Sequence, residues 1–186
     1  MSNTKTNRIN AENHLDLHEA KWFAVYTKYK REKIVNQMLN SKGITNYLPI
    51  QKVTRRYTRK IRKVELPLIS CYIFVKITKK DYVRVLETEN VVSFVRFSRN
   101  LISIPKHEIE IMKRVVGENL PIEAAPTGFC QGDEVEIISG NLTGLKGKLL
   151  EQQGNHQMIV ELDHIGYSLK LNVPIHLIQK VGSLAV

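Results

Sequence analysis

A chain of 186 residues with 42% hydrophobic and 25% charged side chains can build one ordinary domain or two small ones, and it is too apolar to be disordered throughout. Its 28 Lys and Arg against 18 Asp and Glu leave a formal +10 at neutral pH, which points to a nucleic acid or another anionic surface as partner. No run nears the roughly 18 apolar residues of a membrane span, residues 1–20 lack the apolar block of a secretory signal, and Cys71 and Cys130 are too few for a disulfide scaffold or a Cys-only zinc site, so a cytoplasmic location without membrane contact is expected.

Residues 1–20 are polar and Asn-rich and read as a flexible extension. Lys21-Trp-Phe-Ala-Val-Tyr-Thr27 is aromatic and β-branched, a strand. Arg31 to Lys42 carries Ile34, Val35, Met38 and Leu39 at helical spacing, with Gly43 placed to end the helix. Ile44 to Lys52 and Val64 to Ile77 are strand-like runs on either side of a basic stretch, as in a long hairpin. Thr78 to Asp81 has capping-box spacing and opens a second helix with Tyr82, Val83 and Leu86 on its apolar face. Val91 to Phe97 is a fourth strand, and Pro105 opens a third helix with Glu108 and Glu110 early and Lys113 and Arg114 late, as the helix dipole favours. The order β-α-β-β-α-β-α predicts an α+β, ferredoxin-like split βαβ domain over residues 21–116 with one added helix.

Asp133–Ser139, Leu145–Glu151, His156–Asp163, Tyr167–Val173 and Ile175–Val181 are five further short strands, broken by glycines and Pro174. They predict a small five-stranded all-β barrel over residues 128–182, joined through a linker at 117–127. Charge divides along the same line. Residues 21–115 carry a net +15, whereas 127–186 carry −2. The positive charge therefore belongs to the first domain alone.

Gly132-Asp-Glu-Val-Glu-Ile-Ile-Ser-Gly140 is followed by Gly144 and Gly147; Val135 and Ile137 alternate with acidic residues, so one face of this strand is apolar. A phosphate-binding loop would lead into a helix, but here a strand follows. The stretch resembles a KOW motif, carried by Gly132, Asp133, Val135, Ile137, Gly140, Gly144 and Gly147. Trp22-Phe-Ala-Val-Tyr-Thr27, Pro67-Leu-Ile-Ser-Cys-Tyr-Ile-Phe-Val75 and Val92-Ser-Phe-Val-Arg-Phe97 resemble the strands of the N-terminal domain of the NusG family of transcription elongation and antitermination factors. The barrel would then be SH3/Tudor-like. General members of that family usually have Pro-Gly at Ser70-Cys71 and Gly at Lys30. The basic first domain is more similar to the specialised RfaH/UpxY-like paralogues, which implies a restricted set of operons such as capsular polysaccharide loci.

Alternation places Tyr26 on the first strand and Tyr72 and Phe74 on a neighbouring strand on one sheet face, with Phe94 as an extension of the patch. The resemblance implies that these residues meet the clamp helices of the largest RNA polymerase subunit. The plainer alternative is that they cover the sheet beneath helices. Lys52, Arg55, Arg56, Arg59, Lys60, Arg62 and Lys63 crowd the hairpin with no acid among them, a density suited to phosphate contact, with Tyr57 available to stack on a base. Lys28, Lys30 and Arg31 end the first strand and start its helix. The resemblance directs these basic groups to upstream or non-template DNA. On the barrel, Ile165 and Tyr167 are the implied contacts for a small-subunit ribosomal protein or the termination factor Rho. His14 and His18 stand four apart without further ligands, so no metal is expected. No nucleophile-base order, paired carboxylates or nucleotide fingerprint appears, so a monomeric, non-enzymatic protein without cofactors is expected. An RNA-recognition module is the alternative: Ser70 to Ile77 can be laid on the aromatic RNP1 pattern, without its initial basic residue and glycine.

Overall fold

The computed structural model describes residues 11–57, 60–97, 99–118, 122–126, 132–152, 155–174 and 177–181. Its N-terminal part runs β1 (Lys21–Thr27), α1 (Glu32–Ser41), β2 (Asn46–Tyr47), β3 (Ile50–Tyr57), β4 (Lys60–Pro67), β5 (Tyr72–Ile77), a 3-10 turn at Lys79–Asp81, α2 (Tyr82–Leu86), β6 (Val91–Phe94) and α3 (Lys106–Val116). The main sheet has the order β2-β5-β1-β6 with antiparallel neighbours, the split βαβ arrangement that the element order predicts. β1 lies inside this sheet and is buried on both faces. Phe23 and Val25 join the core under α1 and α2, while Ala24 joins the core on the opposite side.

The expected long hairpin divides into two parts. β2 and β5 pair at its base within the main sheet, and β3 and β4 form a separate two-stranded ribbon. Leu48-Pro49 and Leu68 to Cys71 mark the bend. Pro49 has no N–H for a ladder, and its carbonyl accepts from the Leu68 N–H at 2.8 Å. The ribbon thus leaves the sheet and projects its basic residues away from the core.

α1 ends as its sequence predicts: Gly43 has φ +70°, and the Ile44 N–H donates to the Leu39 carbonyl at 3.0 Å. Residues 12–16 differ from the expected free extension. Asn13 bridges Leu101, the His14 N–H donates to the Leu101 carbonyl at 2.9 Å, the Lys79 N–H donates to the Asp16 carbonyl at 2.7 Å, and Leu15 packs on the helix-side core. One leucine and several paired backbone groups suffice to anchor a polar segment. His14 is engaged by Ser103 and Glu12, and among the described residues no cluster of three or more His, Cys, Asp and Glu is placed to hold a metal.

The C-terminal part is a six-stranded antiparallel sheet of β7 (Ile122–Pro126), β8 (Glu134–Ile137), β9 (Lys146–Gln152), β10 (Asn155–Leu162), β11 (Tyr167–Asn172) and β12 (Ile178–Lys180), in the order β12-β8-β9-β10-β11-β7. The five expected strands are present, and the sixth comes from the expected linker. β7 pairs with β11 from Ile122↔Leu171 to Pro126↔Tyr167, which corrects the linker reading at 122–126. A proline at the end of an edge strand removes no needed donor. Gly147 in β9 has a packing role, since a Cβ there would collide with the Ile159 carbonyl.

Candidate functional site

The aromatic surface starts from the pairing of β1 with β5. Tyr26 lies directly opposite Tyr72 and Ala24 opposite Phe74, so Tyr26, Tyr72 and Phe74 share a face as expected. Tyr72 donates to the Tyr26 hydroxyl at 2.7 Å, with their rings edge to face and centroids 4.7 Å apart. Phe74 stacks on Tyr47 of β2. Burial raises the Tyr72 hydroxyl well above the ordinary phenol range, and the hydrogen bond to Tyr26 adds to the shift. Phe94 does not extend this surface. β6 sets Phe94 opposite Val25, one residue out of phase with Tyr26, so its ring turns to the helix side against Phe23 and stacks on Tyr82 at 4.6 Å.

The expected exposure is also absent for two of the three remaining aromatics. Tyr26 is 37% exposed, but Tyr72 and Phe74 are buried. What covers the face is α3 together with the C-terminal sheet. The core on this side runs without a break from Ala24, Tyr72, Phe74, Ile109 and Met112 to Met158, Leu162, Ile165 and Leu169. Tyr167 meets the Tyr72 ring edge to face with centroids 5.3 Å apart, and a side chain added at Gly166 would contact Phe97. The two surfaces predicted to bind different partners therefore bury each other, and Ile165, expected to be available for a partner, is only 2% exposed.

α3 fastens this interface at both ends. Its first turn offers Glu108, which accepts from the His164 backbone N–H at 3.2 Å and lies 2.6 Å from the His164 Nδ1. Its last turn offers Arg114, which donates to the Asn141 and Thr143 carbonyls at 3.0 and 2.8 Å. Between the two clasps Ile109 and Met112 are buried, and Val115 is buried just beyond the second. Packing is incomplete at the margin, where a cavity of about 290 Å³ is lined by Ile111, by Lys146 and Ile159 of the C-terminal sheet, and by Val181.

Lys28, Lys30 and Arg31 are all exposed at one end of the main sheet. The backbone there is unusual: Lys30, Cys71 and Asn90 have φ of 59°, 65° and 69°, the left-handed region that disfavours a Cβ. These residues are linked through the end of β1, since the Thr27 N–H donates to the Cys71 carbonyl and the Lys28 N–H to the Asn90 carbonyl. The buried carboxylate of Glu32 accepts the Cys71 N–H at 2.8 Å and holds that turn. Burial, with the Glu32 charge beside it, pushes the Cys71 thiol above its ordinary pKa. The geometry explains why glycine suits positions 30 and 71.

The ribbon carries Lys52, Arg55, Lys60, Arg62 and Lys63 as exposed side chains. Arg55 sits directly opposite Arg62, a like-charge pairing that opposes strand association. Arg56 lies opposite Ile61 in the backbone register, and Arg59 lies outside the described residues. The Lys33 Nζ lies 3.2 Å from the Glu65 carboxylate and ties α1 to the base of the ribbon.

The KOW-like residues are mainly architectural. Val135 and Ile137 are buried, Asp133 pairs with Lys180 at 2.9 Å, and Gly140 and Gly144 take positive φ in the β8–β9 turn. Gly132 packs against the Leu149 carbonyl, with no room for a side chain. Sequence reasoning missed Glu108, Arg114 and His164, because their importance lies in a contact between domains that no local pattern encodes. It also passed over Tyr29, an aromatic inside the basic Lys28–Arg31 turn, although that juxtaposition was readable.

Residues 20–113 match the family described as "Transcription termination factor nusG". Among solved structures, that of domain interaction in Thermotoga maritima NusG is similar at a TM-score of 0.55 and 21% identity, covering 88% of this chain and 98% of that one, which shows the fold. The MjSpt4:Spt5 complex in conformation A is 19% identical over 86% of this chain and 97% of that chain, at a TM-score of 0.31. No curated protein matches the chain. The family match covers half of the chain and falls on the sheet that carries Tyr26 and Tyr72, and this protein belongs to the NusG family of transcription factors.

Proposed function

We propose that this protein binds elongating RNA polymerase through the Tyr26, Tyr72 and Phe74 face and suppresses pausing or termination, at a restricted set of operons such as capsular polysaccharide loci. The observation that carries this reading is the cover on that face. Tyr72 is shielded in part by Tyr167 of a second domain, across a seam held by discrete polar clasps, and such a cover is exchangeable for a partner. The clamp helices of the largest polymerase subunit are the proposed replacement. The basic ribbon and the Lys28–Arg31 turn lie outside the covered seam and would meet upstream or non-template DNA. The C-terminal sheet, once released, would offer Ile165 and Tyr167 to a small-subunit ribosomal protein or Rho. The described arrangement is then a closed form, and polymerase binding and release of the second domain are coupled, because one surface cannot serve both contacts. The mechanism is binding energy without chemistry.

The RNA-recognition alternative has weaker support, since Ser70 and Cys71 stand where the RNP1 pattern carries its initial basic residue and glycine. The test is a purified elongation assay with co-purification of core polymerase. Added protein should lengthen transcripts through pauses or terminators, and Tyr72→Ala should lose the polymerase. Unchanged pause lifetimes and read-through, with no polymerase retained, would remove the proposal.

A further inference from the structure

Tyr29 is the most exposed large apolar side chain among the described residues, at 68%. It occupies the second position of the turn Lys28–Arg31, closed by the Arg31 N–H donating to the Lys28 carbonyl at 3.0 Å. The turn is pinned to the sheet by the Lys28 N–H donating to the Asn90 carbonyl at 2.9 Å. Lys30 follows in the left-handed region, and its ammonium lies 5.0 Å from the centre of the Tyr29 ring. Stability alone would bury the ring and put glycine after it. Instead a fixed turn presents an aromatic face to solvent with Lys28, Lys30 and Arg31 around it.

We propose that Tyr29 stacks on an unpaired base of single-stranded DNA while Lys28, Lys30 and Arg31 meet the flanking phosphates. An aromatic face ringed by cations is the chemistry that holds single strands, because every base offers a π-face and every nucleotide a charge. A duplex hides its base faces, so the ring selects unpaired strand. A groove of about 500 Å³ between α1 and the ribbon, lined by Lys33, Lys52, Lys63, Val64 and Glu65, holds three ammonium groups against one carboxylate. The backbone of the same strand runs along it. This inference rests on the DNA-contact part of the proposed function and narrows it to an unpaired strand and one stacking residue.

The experiment uses the full chain and a mixed-sequence DNA single strand of about 12 nucleotides, within the usual range of site sizes, carrying one 2-aminopurine. Binding is read by anisotropy and stacking by quenching of the modified base. The wild-type protein quenches; Tyr29→Ala loses the quenching and weakens binding by about tenfold, while Tyr29→Phe and Tyr29→Trp retain both. The duplex of the same sequence binds independently of Tyr29. Binding of Tyr29→Ala within about twofold of wild type with quenching intact would overturn the proposal, as would failure of Tyr29→Phe or tighter binding of the matching RNA strand. Polymerase co-purification separates the two readings. If polymerase is not retained but DNA binding depends on Tyr29, only the broader function fails. If polymerase is retained and DNA binding ignores Tyr29, only this inference fails.

Discussion

Tyr72 and Tyr167 lie 95 positions apart in the chain and meet ring edge to ring face, with centroids 5.3 Å apart and planes 78° from parallel. Tyr72 belongs to the face proposed for polymerase and Tyr167 to the face proposed for a second partner, so each protects the other. An edge-to-face aromatic contact contributes about 0.5–1.5 kcal/mol beyond its area. Tyr167→Ala should therefore shift the protein toward a separated form and increase polymerase retention by roughly two- to tenfold, because Tyr72 stays intact while its cover weakens. Small-angle scattering should show a larger radius of gyration, and an unchanged radius and affinity would contradict the closed-form reading.

Glu108 and His164 offer an independent test at the other edge of the same seam. His164→Ala removes the imidazole beside a buried carboxylate whose second oxygen already has no partner, and the expected cost in a urea titration is about 1–3 kcal/mol. Glu108→Gln in the same background should recover part of it, since a neutral amide is less costly to bury. Equal losses in single and double variants would mean the two groups act as one clasp.

At the strained end of the sheet the expectation is a gain. Lys30→Gly removes the Cβ from a backbone with φ 59° and should raise the thermal midpoint, by about 1 kcal/mol of stability. The same variant should weaken binding to DNA, because a cation beside Tyr29 is gone. A stabilised variant with undiminished DNA binding would show that the left-handed lysine has no role in the contact.

The Cys71 thiol, held above its ordinary pKa by burial and the Glu32 charge, carries less thiolate at a given pH than a free cysteine. In a Cys130→Ser background, iodoacetamide should label Cys71 more slowly than it labels glutathione at pH 8. The rate should still be rising with pH above the point where glutathione levels off. Glu32→Gln should speed labelling by removing the neighbouring charge.

The ribbon should act through charge. Replacing Arg55 or Arg62 by alanine is expected to lower the slope of log affinity against log salt by about 0.7–0.9 for each phosphate that is no longer neutralised. It should also relieve the like-charge opposition across the ribbon, leaving stability equal or improved. A slope insensitive to both residues would place the ribbon away from nucleic acid.

Much of this fold was legible because its causes are local. The aromatic and β-branched run Lys21–Thr27 marked a strand, Gly43 marked a helix end, and the glycines around Val135 and Ile137 marked tight turns in a small β domain. The hairpin and the linker were less legible. Residues 44–77 have strand character almost throughout, and only the bend at Pro49 and Leu68 separates the sheet from the ribbon. Residues 122–126 look like connecting chain because an edge strand needs partners for its backbone more than a pattern of side chains.

The candidate site divides in the same way. That Tyr26, Tyr72 and Phe74 share a face followed from strand periodicity, and that the basic residues are outside followed from the cost of burying charge. The periodicity of β6 alone did not give Phe94 its side, since that depends on its register with Val25.

By itself, then, the sequence determined the two-part architecture, the family resemblance and the asymmetry of +15 against −2, since composition and local periodicity are properties of neighbouring residues. Only the tertiary structure decided that the aromatic face is covered, that α3 is clasped through Glu108 and Arg114, and that Phe94 turns to the helix side. Such relations depend on how distant segments pack, and contacts between residues far apart in sequence leave no period to read.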